Sequence, residues 1–296
     1  MSIEGSITAL VTPMNEKGDL DYNSLEKLIN FQIDSGISGL VAVGTTGESA
    51  TIDFEDHIKL IEFFIKISNG RVHIIAGTGA NSTEEALHLT REAKNLGADA
   101  ALLVSPYYNK PPQEGIYRHH AKIADEVDIP QILYNVPSRT ASFIEPETVQ
   151  RLSSHQNIMG IKDATGDMKN LSEVLKLCEE NIKSKNFFLY SGDDFSFLEF
   201  LKKGGHGTIS VTSNVVPEII SEICLLVQSD FPKAKQLDDQ IKNLNQSLFC
   251  ESNPIPVKWA LQQMGLIKSG IRLPLVELND SFKESVKNSL EELNLI

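Results

Sequence analysis

Lys162 is the residue of this sequence best suited to covalent chemistry. It ends an apolar, strand-like run in which side chains alternate, so Ile158, Gly160 and Lys162 are predicted to share one face. If Met159 and Ile161 face the other way, the Lys162 amine lies in the protein interior. Burial lowers the pKa of a lysine, and a neutral amine can attack a ketone to form a Schiff base. The structural alternative is a strand-end lysine that is paired or reaches solvent.

Tyr134, Thr45 and Thr46 end other apolar runs and add polar chemistry. Tyr134 ends the run before that of Lys162, and neighbouring strands lie about 4.8 Å apart, so its phenol could move protons during imine formation. Thr45 and Thr46 precede a predicted helix, where hydroxyl and backbone N–H groups can bind a carboxylate. The structural alternatives are a tyrosine that caps the core and a tight turn with helix-capping chemistry.

The elements that must position these residues are short apolar runs at near-regular spacing. Eight runs start 21 to 33 residues apart, at 7–11, 40–43, 72–76, 100–104, 131–134, 158–161, 187–190 and 208–211. Helical periodicity lies between them, and strand–helix alternation implies a parallel sheet with right-handed crossovers. We predict an α/β fold, a (β/α)8 TIM barrel, with a doubly wound open sheet as the alternative. In a barrel the strand ends that carry these residues form the active-site rim.

The last part of the chain has helical patterns only. Helices are predicted at 234–248, 256–264 and 281–293. The predicted domains are therefore a catalytic TIM barrel over 1–230 and a small all-helical domain over 231–296 that packs against it.

Composition narrows the class of protein. The chain has 296 residues with 27 Lys and Arg against 40 Asp and Glu, a net charge of −13. This acidity argues against a nucleic-acid or anionic-membrane partner. Three widely spaced cysteines without a CxxC pattern favour a reducing compartment. The start of the chain lacks a basic leader and no apolar run reaches roughly 18 residues, so we predict a cytoplasmic protein.

No sequence pattern calls for a metal or a cofactor. HExxH, Walker-loop and EF-hand motifs are missing from the sequence. The acidic pair Asp193 and Asp194 could bind a cation, but helix capping is the favoured interpretation.

Four motifs together resemble the 4-hydroxy-tetrahydrodipicolinate (dihydrodipicolinate) synthase family. They are Gly44-Thr-Thr-Gly-Glu-Ser, Tyr134-Asn-Val-Pro-Ser-Arg-Thr, Gly160-Ile-Lys-Asp-Ala-Thr-Gly and Asn253-Pro-Ile-Pro-Val-Lys-Trp. Their order and spacing match, and the similarity runs from Gly5 to about Leu293. The resemblance implies a TIM barrel with a C-terminal helical domain, a homotetramer built from tight dimers, and no cofactor or metal.

The resemblance also implies the reaction and the catalytic residues. Pyruvate condenses with L-aspartate 4-semialdehyde, in diaminopimelate and lysine biosynthesis. Lys162 matches the Schiff-base lysine and Tyr134 the proton donor and acceptor. Thr45 and Tyr108 match a relay that links Tyr134 to solvent, with Tyr108 supplied by the neighbouring subunit.

Four residues match substrate-binding positions of the family. Thr46 matches the residue that holds the pyruvate carboxylate, Ile209 matches another pyruvate contact, and Gly192 lies in the corresponding backbone environment. Arg139 matches the residue that receives the carboxylate of the semialdehyde. Asp163 is a departure, because many members carry Glu after the lysine; its shorter side chain puts any contact inferred from it in doubt.

The sequence leaves two alternative functions open. Sister Schiff-base aldolases, such as N-acetylneuraminate lyase and 4-hydroxy-2-oxoglutarate aldolase, share the fold, and Arg139 argues against the lyases because they lack this arginine. A non-catalytic sensor could also retain the fold. The combination of Lys162, Tyr134, Thr45 and Thr46 argues against a sensor.

Feedback inhibition by L-lysine is the last expectation. The positions that match the effector site of lysine-sensitive relatives are Ser49, Ala50, His57, Asn81, Glu85 and Tyr107. A carboxylate such as Glu85 suits the ammonium of an effector, while amide and phenol groups suit its carboxylate. Phe54 departs from the His of sensitive relatives, so we expect inhibition at higher lysine concentrations than in those relatives.

Overall fold

Eight parallel strands form a closed barrel in sequence order, β1 to β8, and β8 pairs with β1. The computed structural model describes residues 3–296; Met1 and Ser2, where the predicted first domain begins, lie outside the described residues. The strands are Gly5–Ala9 (β1), Gly39–Ala42 (β2), His73–Gly77 (β3), Ala100–Val104 (β4), Gln131–Asn135 (β5), Ile158–Asp163 (β6), Phe188–Ser191 (β7) and Gly207–Ser210 (β8). The predicted TIM barrel is confirmed, and the alternative of an open sheet is wrong.

Helices connect the strands and cover the barrel. They are Tyr22–Asp34 (α1), Phe54–Ser68 (α2), Thr83–Leu96 (α3), Gln113–Glu126 (α4), Pro137–Thr140 (α5), Pro146–Ser153 (α6), Met168–Leu177 (α7), Glu179–Lys183 (α8), Phe197–Lys202 (α9) and Pro217–Leu226 (α10). Local sequence sets where they begin: Asp53 caps α2 by accepting from the Asp56 N–H, and Ser82 caps α3 by accepting from the Glu85 N–H. None of the helices described within residues 3–296 is long and apolar enough to cross a membrane.

The strands are buried on both faces, which explains why they read as continuous apolar runs. One apolar cluster fills the barrel interior with side chains such as Ile7, Ile132 and Ile209. Leu133 and Ile161, on the opposite face of their strands, pack against the helices. The barrel is thus a packed core, and polar side chains at its C-terminal rim have a rigid base.

β6 carries an irregularity that alternation did not predict. Gln131 pairs with Ile158 but Ile132 pairs with Gly160, so Met159 is an extra residue in the ladder. Met159 packs in the barrel interior and Ile158 packs against the helices. The predicted faces of these two residues were therefore wrong, whereas Lys162, beyond the bulge, keeps its inward direction.

Four further helices follow α10. They are Phe231–Gln240 (α11), Lys242–Leu248 (α12), Ile255–Gln263 (α13) and Asp280–Glu292 (α14). The single helix predicted over 234–248 is wrong, because the chain leaves helical geometry at Ile241, whose ψ is 4° and whose side chain is fully buried. Packing of Ile241 into the core overrides the continuous helical pattern.

Candidate active site

Lys162 lies at the C-terminal end of β6 with its amine inside the barrel rim. Only 5% of the residue is exposed, and its Nζ lies 4.3 Å from the centroid of the Tyr134 ring on the neighbouring strand. Burial lowers the pKa of Lys162 to about 8, a fall that the Asp194 carboxylate opposes and the charge of Arg139 increases. About a tenth of the amine is therefore neutral, and nucleophilic, at pH 7.

Gly192 creates the space that the Lys162 side chain occupies. A Cβ atom at position 192 would lie 2.6 Å from the Lys162 Cε, closer than side chains approach. The Gly192 N–H donates to the Asp163 carbonyl at 2.7 Å, which keeps the loop after β7 against the end of β6. Any larger residue at 192 would displace the amine.

Tyr134 is buried beside the amine and hydrogen-bonded to Thr45. Burial raises the pKa of Tyr134 to about 12, while the charge of Arg139 and the hydrogen bond with Thr45 oppose this rise. The phenol therefore stays protonated across the physiological range and can donate a proton as well as pass one on. The structure brings Lys162, Tyr134 and Thr45 together. Strand order and alternation predict the first pair, and the family resemblance implies the contact of Tyr134 with Thr45.

The segment from Gly44 to Glu48 forms a tight turn rather than the start of a helix. The Glu48 N–H donates to the Thr45 carbonyl, a 3-10 turn follows at Ser49–Thr51, and α2 begins only at Phe54. The two threonines thus precede helical structure, as predicted, but they lie in the tight turn that was the structural alternative and not in the first turn of α2. Glu48 adopts φ = 61°, a left-handed conformation that ends this turn.

Thr46 lies in this turn, 3% exposed, with its hydroxyl oxygen accepting from the Asn253 Nδ2 at 2.9 Å. The hydroxyl hydrogen of Thr46 is then available to donate to an anion. Ile209 lies on the inner face of β8 and is 1% exposed. Thr46 and Ile209 are therefore both buried near the C-terminal rim of the barrel.

The acidic residues near Lys162 are held by hydrogen bonds. The Asp194 carboxylate accepts from the Ser210 hydroxyl and from the N–H groups of Val211 and Thr212, where a 3-10 turn begins. Asp194 therefore holds the end of β8. The residues that precede α9 and the 3-10 turn, Ser196 and Val211, make no side-chain cap, so the predicted helix capping by the acidic pair is wrong. Asp163 accepts from the Thr165 N–H and the Asn170 amide, so its shortened side chain supports the β6–α7 turn.

Arg139 and a cavity of about 500 Å³ lie at the mouth of the site. Thr45 and Arg139 line this cavity, whereas Lys162 is not among its lining residues. Arg139 is exposed, and its Nη2 donates to the Asn253 carbonyl at 3.4 Å. Its guanidinium is thus available for a bidentate contact with a carboxylate.

The same cavity gathers most of the positions expected to bind an effector. Its walls include Ser49, Ala50, His57, Glu85 and Tyr107. Asn81 does not line it, but its backbone hydrogen-bonds Tyr107. The His57 Nε2 donates to the Gly77 carbonyl at 2.8 Å, and burial lowers the pKa of His57, so the ring is neutral. Phe54 also lines the cavity and packs edge-to-face on His88, with ring centroids 4.6 Å apart.

Tyr108 does not join the buried groups within one chain. Its side chain is 88% exposed and its φ is 73°, on the loop between β4 and α4. Its backbone N–H donates to the Thr140 carbonyl at 3.3 Å. In a single chain the phenol of Tyr108 therefore lies in solvent.

Sequence reasoning did not assign roles to Asn253, Lys258 and Glu48. Asn253 and Lys258 belong to the motif that starts at Asn253, and Glu48 to the motif that starts at Gly44. The sequence does show opposite charges at Glu48 and Lys258, each inside a motif. Because 210 positions separate the two residues, no local pattern indicates that they form a pair.

A buried amine at the C-terminal rim of a TIM barrel, next to a buried phenol, is typical of enzymes that form a Schiff base with a carbonyl substrate.

The sequence model of the dihydrodipicolinate synthetase family matches residues 2–293 of this chain. A 4-hydroxy-tetrahydrodipicolinate synthase of Alcanivorax borkumensis is 50% identical over 295 residues, 99% of each chain. The chain belongs to the dihydrodipicolinate synthetase family.

Two solved structures are similar over nearly the whole chain. The chloride-inhibited dihydrodipicolinate synthase of Acinetobacter baumannii, complexed with pyruvate, is 50% identical with a TM-score of 0.96, and 100% of each chain is covered. The enzyme of Cyanidioschyzon merolae, solved with lysine bound, is 34% identical with a TM-score of 0.94, and 99% of each chain is covered.

The pKa of Lys162 gives a pH dependence. Below pH 8 the neutral fraction of the amine rises about tenfold per pH unit, and above it the fraction levels off. We expect the rate at which borohydride traps a pyruvate adduct, corrected for reagent decay, to rise between pH 6 and 8 and then flatten. Tyr134 stays protonated throughout this range. A rate that does not change with pH would contradict a rate-limiting attack by the neutral amine.

Proposed function

We propose that this protein condenses pyruvate with L-aspartate 4-semialdehyde to give 4-hydroxy-tetrahydrodipicolinate, in diaminopimelate and lysine biosynthesis. The observation that carries the proposal is the buried Lys162 amine, with its lowered pKa, 4.3 Å from the Tyr134 ring. The relatives at about 50% identity over the full chain support the same activity. We also propose a cytoplasmic location and two domains, 1–230 and 231–296.

The chemistry begins at the ketone of pyruvate. The neutral Lys162 amine adds to the carbonyl carbon, and loss of water gives an iminium ion. The iminium accepts electrons, so the methyl group loses a proton and an enamine forms. The enamine carbon then attacks the aldehyde carbon of the semialdehyde, and its oxygen takes up a proton. The amine of the semialdehyde finally attacks the imine carbon, which closes the ring and releases Lys162.

Tyr134 is the proposed proton carrier for these steps. It donates to the oxygen that leaves as water and to the alkoxide formed from the aldehyde. Thr45, hydrogen-bonded to Tyr134, is the proposed next member of the relay. Tyr108 of a neighbouring subunit would complete it, which fits its 88% exposure in a single chain. This assignment requires a homo-oligomer, proposed as a dimer of tight dimers.

Pyruvate is proposed to bind between the turn at Thr46 and the inner face of the barrel. The Thr46 hydroxyl, supported by Asn253, donates to the pyruvate carboxylate. Ile209 packs against the substrate and Gly192 leaves room for the lysine and its adduct. The proposed site requires no cofactor and no metal.

Borohydride reduction in the presence of pyruvate tests the proposal most directly. Peptide mass analysis should locate the reduced adduct on Lys162, and the protein should then condense pyruvate with L-aspartate 4-semialdehyde. It should cleave N-acetylneuraminate negligibly. Absence of an adduct, or an adduct at another lysine, excludes the Schiff-base mechanism, while efficient cleavage of N-acetylneuraminate would identify a sister aldolase instead.

Arg139→Ala should weaken use of the semialdehyde far more than binding of pyruvate. Loss of one charge-assisted carboxylate contact costs roughly 1.5–3 kcal/mol, or about ten- to hundredfold in kcat/KM for the semialdehyde. Pyruvate adduct formation should survive, because Thr46 holds that carboxylate in the proposed site. Steady-state kinetics with each substrate varied in turn will separate the two. An equal loss for both substrates would indicate a structural role for Arg139.

L-Lysine is the proposed effector of the cavity beside the active site. The lysine-bound relative supports this proposal, and the cavity walls supply the Glu85 carboxylate for an ammonium and the Tyr107 phenol for a carboxylate. Ser49 and Ala50 continue from the turn that holds Thr45, so a ligand there contacts the same segment as the proton relay. Phe54 supplies an apolar surface in place of a polar contact.

We expect millimolar L-lysine to inhibit turnover, with a coupling of roughly 1–3 kcal/mol between effector and substrate sites. Phe54→His should increase lysine affinity, because an imidazole restores a hydrogen-bonding group to the cavity wall. Steady-state assays and titration calorimetry measure both effects. Unchanged turnover together with no heat of lysine binding would exclude this regulation.

A further inference from the structure

An ion pair buried behind the Thr45–Thr46 turn joins the barrel to the C-terminal helices. The Glu48 carboxylate, whose side chain is 0% exposed, pairs with the Nζ of Lys258 on α13, whose side chain is 5% exposed. Burial, and to a smaller extent the charge of Arg272, lowers the pKa of Lys258, and the charge and hydrogen bond of Glu48 oppose this fall. Each charge depends on the other for compensation in this dry environment.

The second carboxylate oxygen of Glu48 is also occupied. It accepts from the Arg272 backbone N–H at 3.2 Å, and the Arg272 guanidinium donates to the carbonyls of Thr51 and Gly18. Asn253 contacts Thr46 from the same side. The chain beyond residue 250 therefore holds the turn at Thr46 and Glu48 and the 3-10 turn that follows it at Thr51.

The backbone has positive φ immediately before the turn and at its last residue. Val43 has φ = 53° and Glu48 has φ = 61°, and a β-branched residue rarely adopts positive φ. Such conformations persist when surrounding contacts fix them. Within the turn, the Thr12 hydroxyl donates to the Gly47 carbonyl at 2.7 Å, a contact from the barrel itself. The Glu48 ion pair supplies the anchor on the other side.

We propose that Glu48 and Lys258 are positioning residues that set the location of the Thr45 and Thr46 hydroxyls at the pyruvate end of the site. This inference rests on the proposed roles of Thr45 and Thr46. The pair acts through the turn. Lys258 fixes the position of the Glu48 carboxylate, and Thr46 and Thr45 precede Glu48 by two and three residues. A displacement of about 1 Å in such groups can cost up to about a hundredfold in rate.

Lys258→Met tests the role, because methionine is apolar and fills much of the lysine volume. We expect kcat/KM for pyruvate to fall roughly ten- to hundredfold, with a matching fall in the rate of adduct trapping. The KM for the semialdehyde, which depends on Arg139, should stay close to the wild-type value. Lys258→Arg keeps the charge and should recover much of the lost activity. Thermal unfolding of each variant reports whether the protein is folded.

Lys268→Met is the matched control. Lys268 also joins the chain beyond residue 250 to the barrel, through an ion pair with Asp21 at 3.0 Å, but its side chain is 63% exposed and its partner is not part of the turn. Its removal should leave pyruvate kinetics unchanged. If Lys258→Met does not fold, Glu48→Gln keeps the shape of the carboxylate and should show the same selective loss.

Two results would overturn the inference: a folded Lys258→Met or Glu48→Gln variant with wild-type kcat/KM for pyruvate, or an equal loss in Lys268→Met. Failure of the proposed function itself looks different, because the wild-type protein would then form no pyruvate adduct at Lys162.

Discussion

Lys162→Ala should abolish the pyruvate adduct and lower condensation turnover by at least about three orders of magnitude. Loss of the attacking group of a covalent mechanism typically has effects of this size or larger. Lys162→Arg should be equally inactive, because a guanidinium stays protonated and cannot supply a neutral amine. The measurements are turnover and the mass of the protein after borohydride reduction with pyruvate.

Stability separates this chemical effect from a folding defect. The amine is costly to bury, so alanine at this position removes an unfavourable group along with its packing contacts. We expect cooperative unfolding of the variant near the wild-type midpoint. Retention of a borohydride-stable adduct in folded Lys162→Ala would show that another amine is the nucleophile.

Tyr134→Phe should lower kcat about 10²- to 10⁴-fold, the usual contribution of a positioned proton donor. Phenylalanine keeps the ring that lies 4.3 Å from the Lys162 Nζ and removes only the hydroxyl bonded to Thr45. The expected defect is therefore in proton transfer and not in packing. Stopped assays with saturating substrates measure kcat, and trapping experiments measure how slowly the adduct forms.

Tyr190→Phe provides the matched control in the same barrel. Tyr190 is fully buried on β7, but its hydroxyl donates to the Ile3 carbonyl at 2.9 Å, away from the Lys162 amine. Its loss should cost about 1 kcal/mol of stability and leave kcat near the wild-type value. A fall of less than about tenfold in Tyr134→Phe would rule out Tyr134 as the principal proton carrier.

Local sequence was sufficient for the eight strand–helix units and for the candidate nucleophile. Eight buried parallel strands produce eight apolar runs, and the spacing between runs leaves room for one helix each, but closure of the sheet by pairing of β8 with β1 is visible only in the tertiary structure. Lys162 and Tyr134 could be paired because they end consecutive strands, which are neighbours in this fold. The family motifs then supplied expected roles that periodicity alone does not contain.

Features that depend on packing were not predictable in the same way. The bulge at Met159 exchanges the faces of two adjacent residues, and Ile241 interrupts a helix whose pattern is otherwise continuous. In both cases the cost of a local irregularity is offset by burial of an apolar side chain, which a sequence window does not represent.

The sequence by itself determined which residues stand at the strand ends, because apolar runs and the polar residues that end them are local properties of the chain. Only the tertiary structure decided how those residues are charged and held. The Lys162 pKa falls because the closed barrel removes its amine from water, and Gly192 leaves the space that it occupies. The Glu48–Lys258 pair forms because folding brings two motifs 210 positions apart into one dry interface, and such long-range electrostatics have no signature in local sequence.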